Sequence, residues 1–328
     1  MKTKSFIIRW SEGRMLLVIA VAALLSGVTV ARAATPVACG DILSAPGEYV
    51  LTGNTLGCAG PGGGGAIRIT ASGVHLNMAG FTLGGPGGFP PPGQGIVVAA
   101  PNGCNTGAPG PTDVHINGGT IKGYHAGILL CFASGNHISG MTLTENRYGV
   151  IALSSHDNQF SGNTVSGNQS LGFGVIRSST GNKFTANTCN GNALEAFSGC
   201  YSLEDSTDNT VTSNEMVGNG KFGVQISCTT MDGCGGGNTI RGNTIVGTTL
   251  FGDPRPGITV LFSNGNRIQG NTSGSNRFGI FLFQSAGNTV QSNTVLSNTL
   301  FDLWSDLGCD VNTWKSNTFG TRSPACIQ

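Results

Sequence analysis

The sequence predicts an all-β solenoid of stacked parallel coils, and three observations carry that prediction. From residue 127 the chain repeats itself at spacings of 22 residues or more. Within each repeat, asparagines and β-forming apolar residues recur in fixed columns between Gly- and Asn-rich corners. Of the 328 residues 54 are Gly and only 10% are charged, so long helix-forming side chains are too few for an all-α fold. A hydrophobic share of 38% is too high for a disordered chain, and the glycines lack the three-residue period of collagen.

Residues 1–33 read as a secretory signal peptide. Lys2, Lys4, Arg9 and Arg14 precede the apolar run Met15 to Val30, and Ala31-Arg32-Ala33 supplies small residues for cleavage before Ala34. That run is short for a bilayer span, and no later segment is long and apolar enough for one, so no membrane span is expected in the mature chain. Export to the periplasm or the exterior is the expected localisation. Without residues 1–33 the chain has 12 Lys and Arg against 15 Asp and Glu, a net charge of about −3. No basic patch stands out, so nucleic acid is not an expected partner.

All ten cysteines lie beyond residue 33, which in an exported chain favours disulfides. Sequence proximity suggests Cys39–Cys58, Cys189–Cys200, Cys228–Cys234 and Cys309–Cys326, leaving Cys104–Cys131. No CxxC occurs and the histidines are not grouped near the cysteines, so no zinc site is expected.

Residues 66–126 form looser early coils, with the Pro/Gly stretches at 84–95 and 101–111 as long turns. From Gly127 the coils open on Gly149, Gly174, Gly223, Gly257 and Gly279, with Tyr201 in place of one Gly. A first Asn column runs Asn136, Asn158, Asn182, Asn209, Asn238, Asn266, Asn288 and Asn312. Two residues on come Ile138, Phe160, Phe184, Val211, Ile240, Ile268, Val290 and Trp314. A second column runs Asn163, Asn187, Asn214, Asn243, Asn271, Asn293 and Asn317, with Met141 in its first place. One coil has too few inward side chains to bury a core, whereas stacked coils bury a continuous one. Roughly ten coils at about 4.8 Å each give a rod near 50 Å. The first and last segments should cap its open ends, since an exposed stack end invites edge pairing.

The motif GN-x-[IVF]-x-x-N-T-[IV], as in Gly265-Asn266-Arg267-Ile268-Gln269-Gly270-Asn271-Thr272, resembles the right-handed parallel β-helix proteins of the pectin-lyase-like superfamily, and most closely the NosD-like repeat proteins. The resemblance covers 127–319 well and 66–126 loosely. It implies a single-stranded right-handed parallel β-helix at 66–319, a cap at 34–65 like that of exported members, and a C-terminal cap or tail at 320–328. It says little about function, because its positions are structural.

With the apolar columns inward, alternation sends Leu129/Cys131, Ile151/Leu153, Val175/Arg177, Ser202/Glu204, Gln225/Ser227, Thr259/Leu261 and Phe281/Phe283 outward. Most want a cover. The polar break is Arg177, Glu204 and Gln225, and the extra residues near 193–200 and 228–237 would wall it as a groove. The plainer reading of Arg177 and Glu204 is a cross-coil salt bridge on a solvated face. A second outward face is polar, with His137, Gln159 and Lys183 at its start, and can hydrogen-bond sugars or simply be solvated. A corner row sets His125 beside Arg147, and Arg255 beside Arg277 with Asp253 as a partner.

Tyr148-Gly149 and His156-Asp157 partly resemble the Tyr-Gly and Asp-Pro-His-Asp motifs of the alginate epimerases, with Ser154-Ser155 where Asp-Pro would stand. That likeness implies His156 as a base, with Arg147 or Arg177 neutralising a uronate. The motifs of polygalacturonase-like hydrolases are missing. Glu204, Asp205 and Asp208 form the densest acidic cluster, making Ca²⁺ the one cofactor conceivable there. Copper, suggested by the NosD name, finds no Met/His cluster, and no metal site is assigned. The expectation is an exported, non-catalytic β-helix protein that binds or scaffolds at the cell envelope, with polysaccharide as partner. The alternative is a polysaccharide lyase or uronate epimerase using Arg177, Glu204 and His156, with Gln225, Arg147 and Lys183 binding substrate.

Overall fold

The computed structural model describes residues 33–60, 64–193, 198–229, 236–250 and 253–328, without the side chains of 250–254. The segment expected as a signal peptide lies outside the described residues except for Ala33.

Each typical coil gives one short strand to each of three sides. In one coil these are Tyr148–Leu153, Gln159–Ser161 and Thr164–Ser166. The first pairs in parallel with Ala126–Cys131 of the coil before and Phe173–Ile176 of the coil after. Repetition produces a long-strand sheet and a polar sheet, each of 12 strands, and a third side in runs of four and five. Among the described residues, only the small Thr249–Leu250/Asp253–Pro254 pair is antiparallel. The architecture is the expected right-handed parallel β-helix. It has more coils than expected because Thr35–Val37, Ile42–Leu43 and Gly47–Leu51, in the segment taken for a cap, already pair into both main sheets.

The inward column runs as its alternation requires: Ile138, Phe160, Phe184, Val211, Ile240, Ile268 and Val290 are at most 1% exposed. Stacking at strand spacing brings aromatic rings of successive coils face to face. Phe160 and Phe184 lie 4.7 Å apart and 4° from parallel, and Phe173 and Tyr201 4.7 Å apart and 1° from parallel. The two stacks meet edge to face, an arrangement that favours the ring quadrupoles.

The asparagines do more than tolerate corners. Each first-column side chain is buried and donates its Nδ2 to the Oδ1 of the next, from Asn136 to Asn312. The second column does the same from Asn163 to Asn317. Each Oδ1 also accepts a backbone N–H from the coil before, as Asn187 does from Asn163 at 2.9 Å. A third ladder, not anticipated from the sequence, joins Asn146, Asn168, Asn192 and Asn219. Thr248 interrupts it, and beyond that point only the main-chain half of the pattern continues, with Thr248 N and Asn276 N donating to the Oδ1 of Asn276 and Asn298.

That third row ends on Asp302, 2% exposed. Its carboxylate accepts bonds from Asn298 Nδ2 at 2.8 Å, Gly320 N at 2.8 Å and Thr321 N at 2.9 Å. Burial pushes the Asp302 carboxyl up, but these donors outweigh it and hold it below its ordinary value. Disulfides Cys39–Cys58, Cys189–Cys200 and Cys309–Cys326 join pairs suggested by proximity, and Cys104–Cys131 joins the pair left over. The fifth suggested pair falls on Cys234, outside the described residues.

Two stability predictions follow from the ladders. Asn187→Ala strands the Nδ2 and N–H of Asn163, and should lower unfolding stability by about 3 kcal/mol in a denaturant titration. The exposed control Thr185→Ala should change it by less than about 0.5 kcal/mol. Because the Asp302 carboxyl is depressed on folding, its stabilisation is present above the ordinary carboxylate pKa and lost as pH falls through the folded value. The Tm gap between the native chain and Asp302→Asn should therefore hold steady near neutrality and shrink below about pH 4.

Candidate functional site

The outer face of the long-strand sheet divides in two. In its early coils Val97, Ala99 and Cys131 are buried against Cys104, Leu129, Phe132 and Leu153. The segment around 104 covers this apolar strip and is pinned there by Cys104–Cys131. This is the cover that an outward apolar row requires.

The later coils carry a groove of about 170 Å³ instead. Strand register lines up Gln225, Thr259, Phe281 and Trp304 on four successive coils. Gln225, Thr259, Leu261 and Phe281 line the groove together with Lys221, Phe222, Arg255 and Pro256. Trp304 stacks on Phe281 at 4.4 Å and 6°. Since Trp304 lies one coil further along, the other face of the Phe281 ring is turned toward Thr259 and the groove. Phe283 and Phe278 widen the aromatic patch, and Arg277 lies 5.8 Å from the Phe278 ring.

Of the residues singled out from sequence, Gln225 lies in this groove, with its Nε2 3.2 Å from Ser227 Oγ. Arg177 requires a correction. Leu153 pairs with Ile176 and Val175 with Leu203, so Gly174 and Ile176 face outward and Val175 is buried. The Gly column is filled in these coils by Gly172 and Cys200, not by Gly174 and Tyr201. The slip arises because the corner before Asn182 is one residue longer, with Arg177 and Ser178 both left-handed at φ 56° and 59°. Arg177 is exposed at that corner, beside Asp205 rather than Glu204. No Arg177–Glu204 ion pair forms among the described residues, where the ion pairs are His75–Glu48, His115–Asp113 and Lys122–Glu145.

His156 sits on a different row, in the corner between the main sheets, with Nδ1 2.9 Å from Thr180 Oγ1. Arg147 lies over Tyr148 at 5.3 Å, next to His125. Lys183 is exposed on the polar sheet beside Gln159. The acids Glu204, Asp205 and Asp208 do not converge as a cation site. Asp205 instead accepts the N–H and hydroxyl of Thr229 at 2.8 and 2.6 Å, and Asp208 is exposed at a left-handed corner. The side chain of Asp253 lies outside the described residues, as do 194–197 and 230–235 of the expected walls.

The absence of a histidine cluster also requires correction. Register on the polar sheet aligns Glu48, His75, His115 and His137. Ring centroids of His75 and His115 are 4.5 Å apart, and those of His115 and His137 4.7 Å. Among the described residues, His75, Asp113 and His115 form the one group of three metal-type donors, with atoms within 4.8 Å of one another. The sequence conceals this row because His75 and His115 come from the irregular early coils.

The family model described as periplasmic copper-binding protein (NosD) matches residues 93–252 and 202–325. No curated protein matches the chain in sequence. Among solved structures, the A-module of the Azotobacter vinelandii mannuronan C-5 epimerase AlgE6 is similar at TM-score 0.54 and 15% identity, covering 88% of this chain and 75% of that one. The Dettilon tailspike protein is similar at 0.51 and 14%, covering 88% of this chain and 60% of that one. The periplasmic alginate epimerase AlgG is similar at 0.48 and 15%, covering 89% and 76%. At these identities the likeness is one of fold. Among the described residues, no helix is long and apolar enough to cross a membrane.

Proposed function

The chain belongs to the NosD family, described as periplasmic copper-binding protein, and from that premise we propose that it is an exported binding protein of the cell envelope whose groove takes a saccharide unit of a polysaccharide. The observation that carries this reading is the Phe281 ring, backed by Trp304 and presenting its other face to a groove lined by Gln225, Lys221 and Arg255. A pyranose has an apolar face that packs on an aromatic ring, and its hydroxyls suit an amide. Two cations at the rim favour a sugar that carries carboxylate or sulfate groups.

Binding is favoured over turnover by what lines the groove. Its described residues include no carboxylate, imidazole or phenol, so Lys221 alone is left there for general acid–base chemistry. The lyase or epimerase alternative draws on Arg177, Glu204 and His156, which belong to three separate rows. Copper, named for the family, calls for a different place. Among the described residues Met78, Met141 and Met216 are sealed in the core, so these thioethers do not fit it. The nitrogen and oxygen donors of His75, His115 and Asp113 do fit the divalent ion.

Isothermal titration of the protein with alginate, pectate and neutral glycan fragments tests the reading. Acidic fragments should bind, and Phe281→Ala should weaken them about tenfold, which is the scale of one lost stacking contact. Loss of binding in Arg177→Ala but not in Phe281→Ala would move the site away from the groove. Incubation with the same polymers should produce no unsaturated uronate absorbance near 235 nm. Turnover abolished by Glu204→Ala would instead establish the enzyme alternative.

A further inference from the structure

We propose that His75, His115 and Asp113 form a surface site for a divalent transition-metal ion, Cu(II) foremost, with His137 as the next imidazole in the row. The site lies on the polar sheet, not on the long-strand sheet that carries the groove, so it stands independently of the saccharide reading.

The argument begins with register. Parallel pairing sets residues of successive coils side by side at about 4.8 Å, and His75, His115 and His137 occupy one such column. Imidazoles held at that spacing bring ring nitrogens close to the separation of two ligands across one ion, about 4.2 Å for bonds of about 2.1 Å. The neighbouring contact is better matched. His115 Nε2 and Asp113 Oδ1 are 3.1 Å apart, within the range of about 2.9–3.4 Å for adjacent ligands at such bond lengths. An ion there would take the place of the proton now shared by the two groups. Asp113 is aimed by its corner, where the backbone is left-handed at φ 55°.

Glu48 supplies the outer support. Its Oε1 lies 2.8 Å from His75 Nδ1, the carboxylate–imidazole contact that orients a ligating ring and raises its basicity. The side chains of His75 and His115 are 41% and 39% exposed. An ion can therefore enter directly, and the small inward shift needed to close the set meets no packed neighbour on the solvent side. Two nitrogens and one oxygen form a borderline donor set, for which first-row affinities peak at Cu(II).

The test uses the untagged protein, titrated with Cu(II) and separately with Zn(II) in a calorimeter. Electron paramagnetic resonance of the Cu(II) form reads the donor atoms. One ion should bind per chain, with superhyperfine splitting from two nitrogens. His75→Gln and His115→Gln should each lower affinity about 10- to 100-fold, and Asp113→Asn should lower it less. His156→Gln, on another row, should leave binding unchanged, and thermal melts without metal should be unaltered by these exposed substitutions. The proposal is overturned if neither ion binds. It is equally overturned if the ion bound by the native chain is bound as tightly by the His75→Gln/His115→Gln double variant, or if the spectrum shows oxygen donors only.

Discussion

The side-chain amide bond from one coil to the next is the interaction on which the rest of this molecule depends. A coil of some 22 residues has a few inward side chains, too little to define its own position. Each buried asparagine closes a corner by accepting a backbone N–H from the preceding coil and binding the next asparagine in its column. Left unpaired, those groups would be costly at such depth. Because they are paired at every level, a coil can stack in one register only, and alternation then sorts each strand residue inward or outward.

Fixing the corners in this way frees the outer surfaces. The long-strand sheet is apolar and covered in its early coils, then open and aromatic around Phe281 and Trp304. The polar sheet begins with a histidine row and continues with Gln159, Lys183 and threonines. None of these outward residues bears on core packing. One scaffold can thus carry a saccharide groove and a metal-type cluster on different sides without conflict.

The asparagine columns and the stacked core were legible because they recur at constant offsets within the repeat, and the disulfides because most partners lie close in sequence. Asn146, Asn168, Asn192 and Asn219 carried the same signal five residues beyond the second column, but Thr248 breaks the run and hides it. The site residues were harder to read because sites sit where the repeat departs from its period. One extra corner residue moved Arg177 out of the row shared with Glu204. The groove joins Lys221 to Arg255 across a lengthened coil, and the histidine row joins His75 to His115 across a Pro/Gly insertion. Sequence distance carries no trace of such neighbours until pairing is known.

The ladders also have a direction. In the second column each Nδ2 gives one hydrogen to the next asparagine toward the C-terminal end and the other to a main-chain carbonyl of the coil before, so the amide-to-amide bonds of that column all run one way. A column built this way has unlike ends, an oxygen end and a hydrogen end, as a bar magnet has two poles. Another asparagine can lengthen it but only an acceptor can finish it. Asp302 ends the third row with a full negative charge against the Asn298 amide, locking Gly320 and Thr321 in the same stroke. The final coils are therefore not interchangeable with those in the middle. A shortened or spliced solenoid would have to carry this terminal carboxylate along with the cut to keep the Asn298 amide and the N–H groups of Gly320 and Thr321 paired.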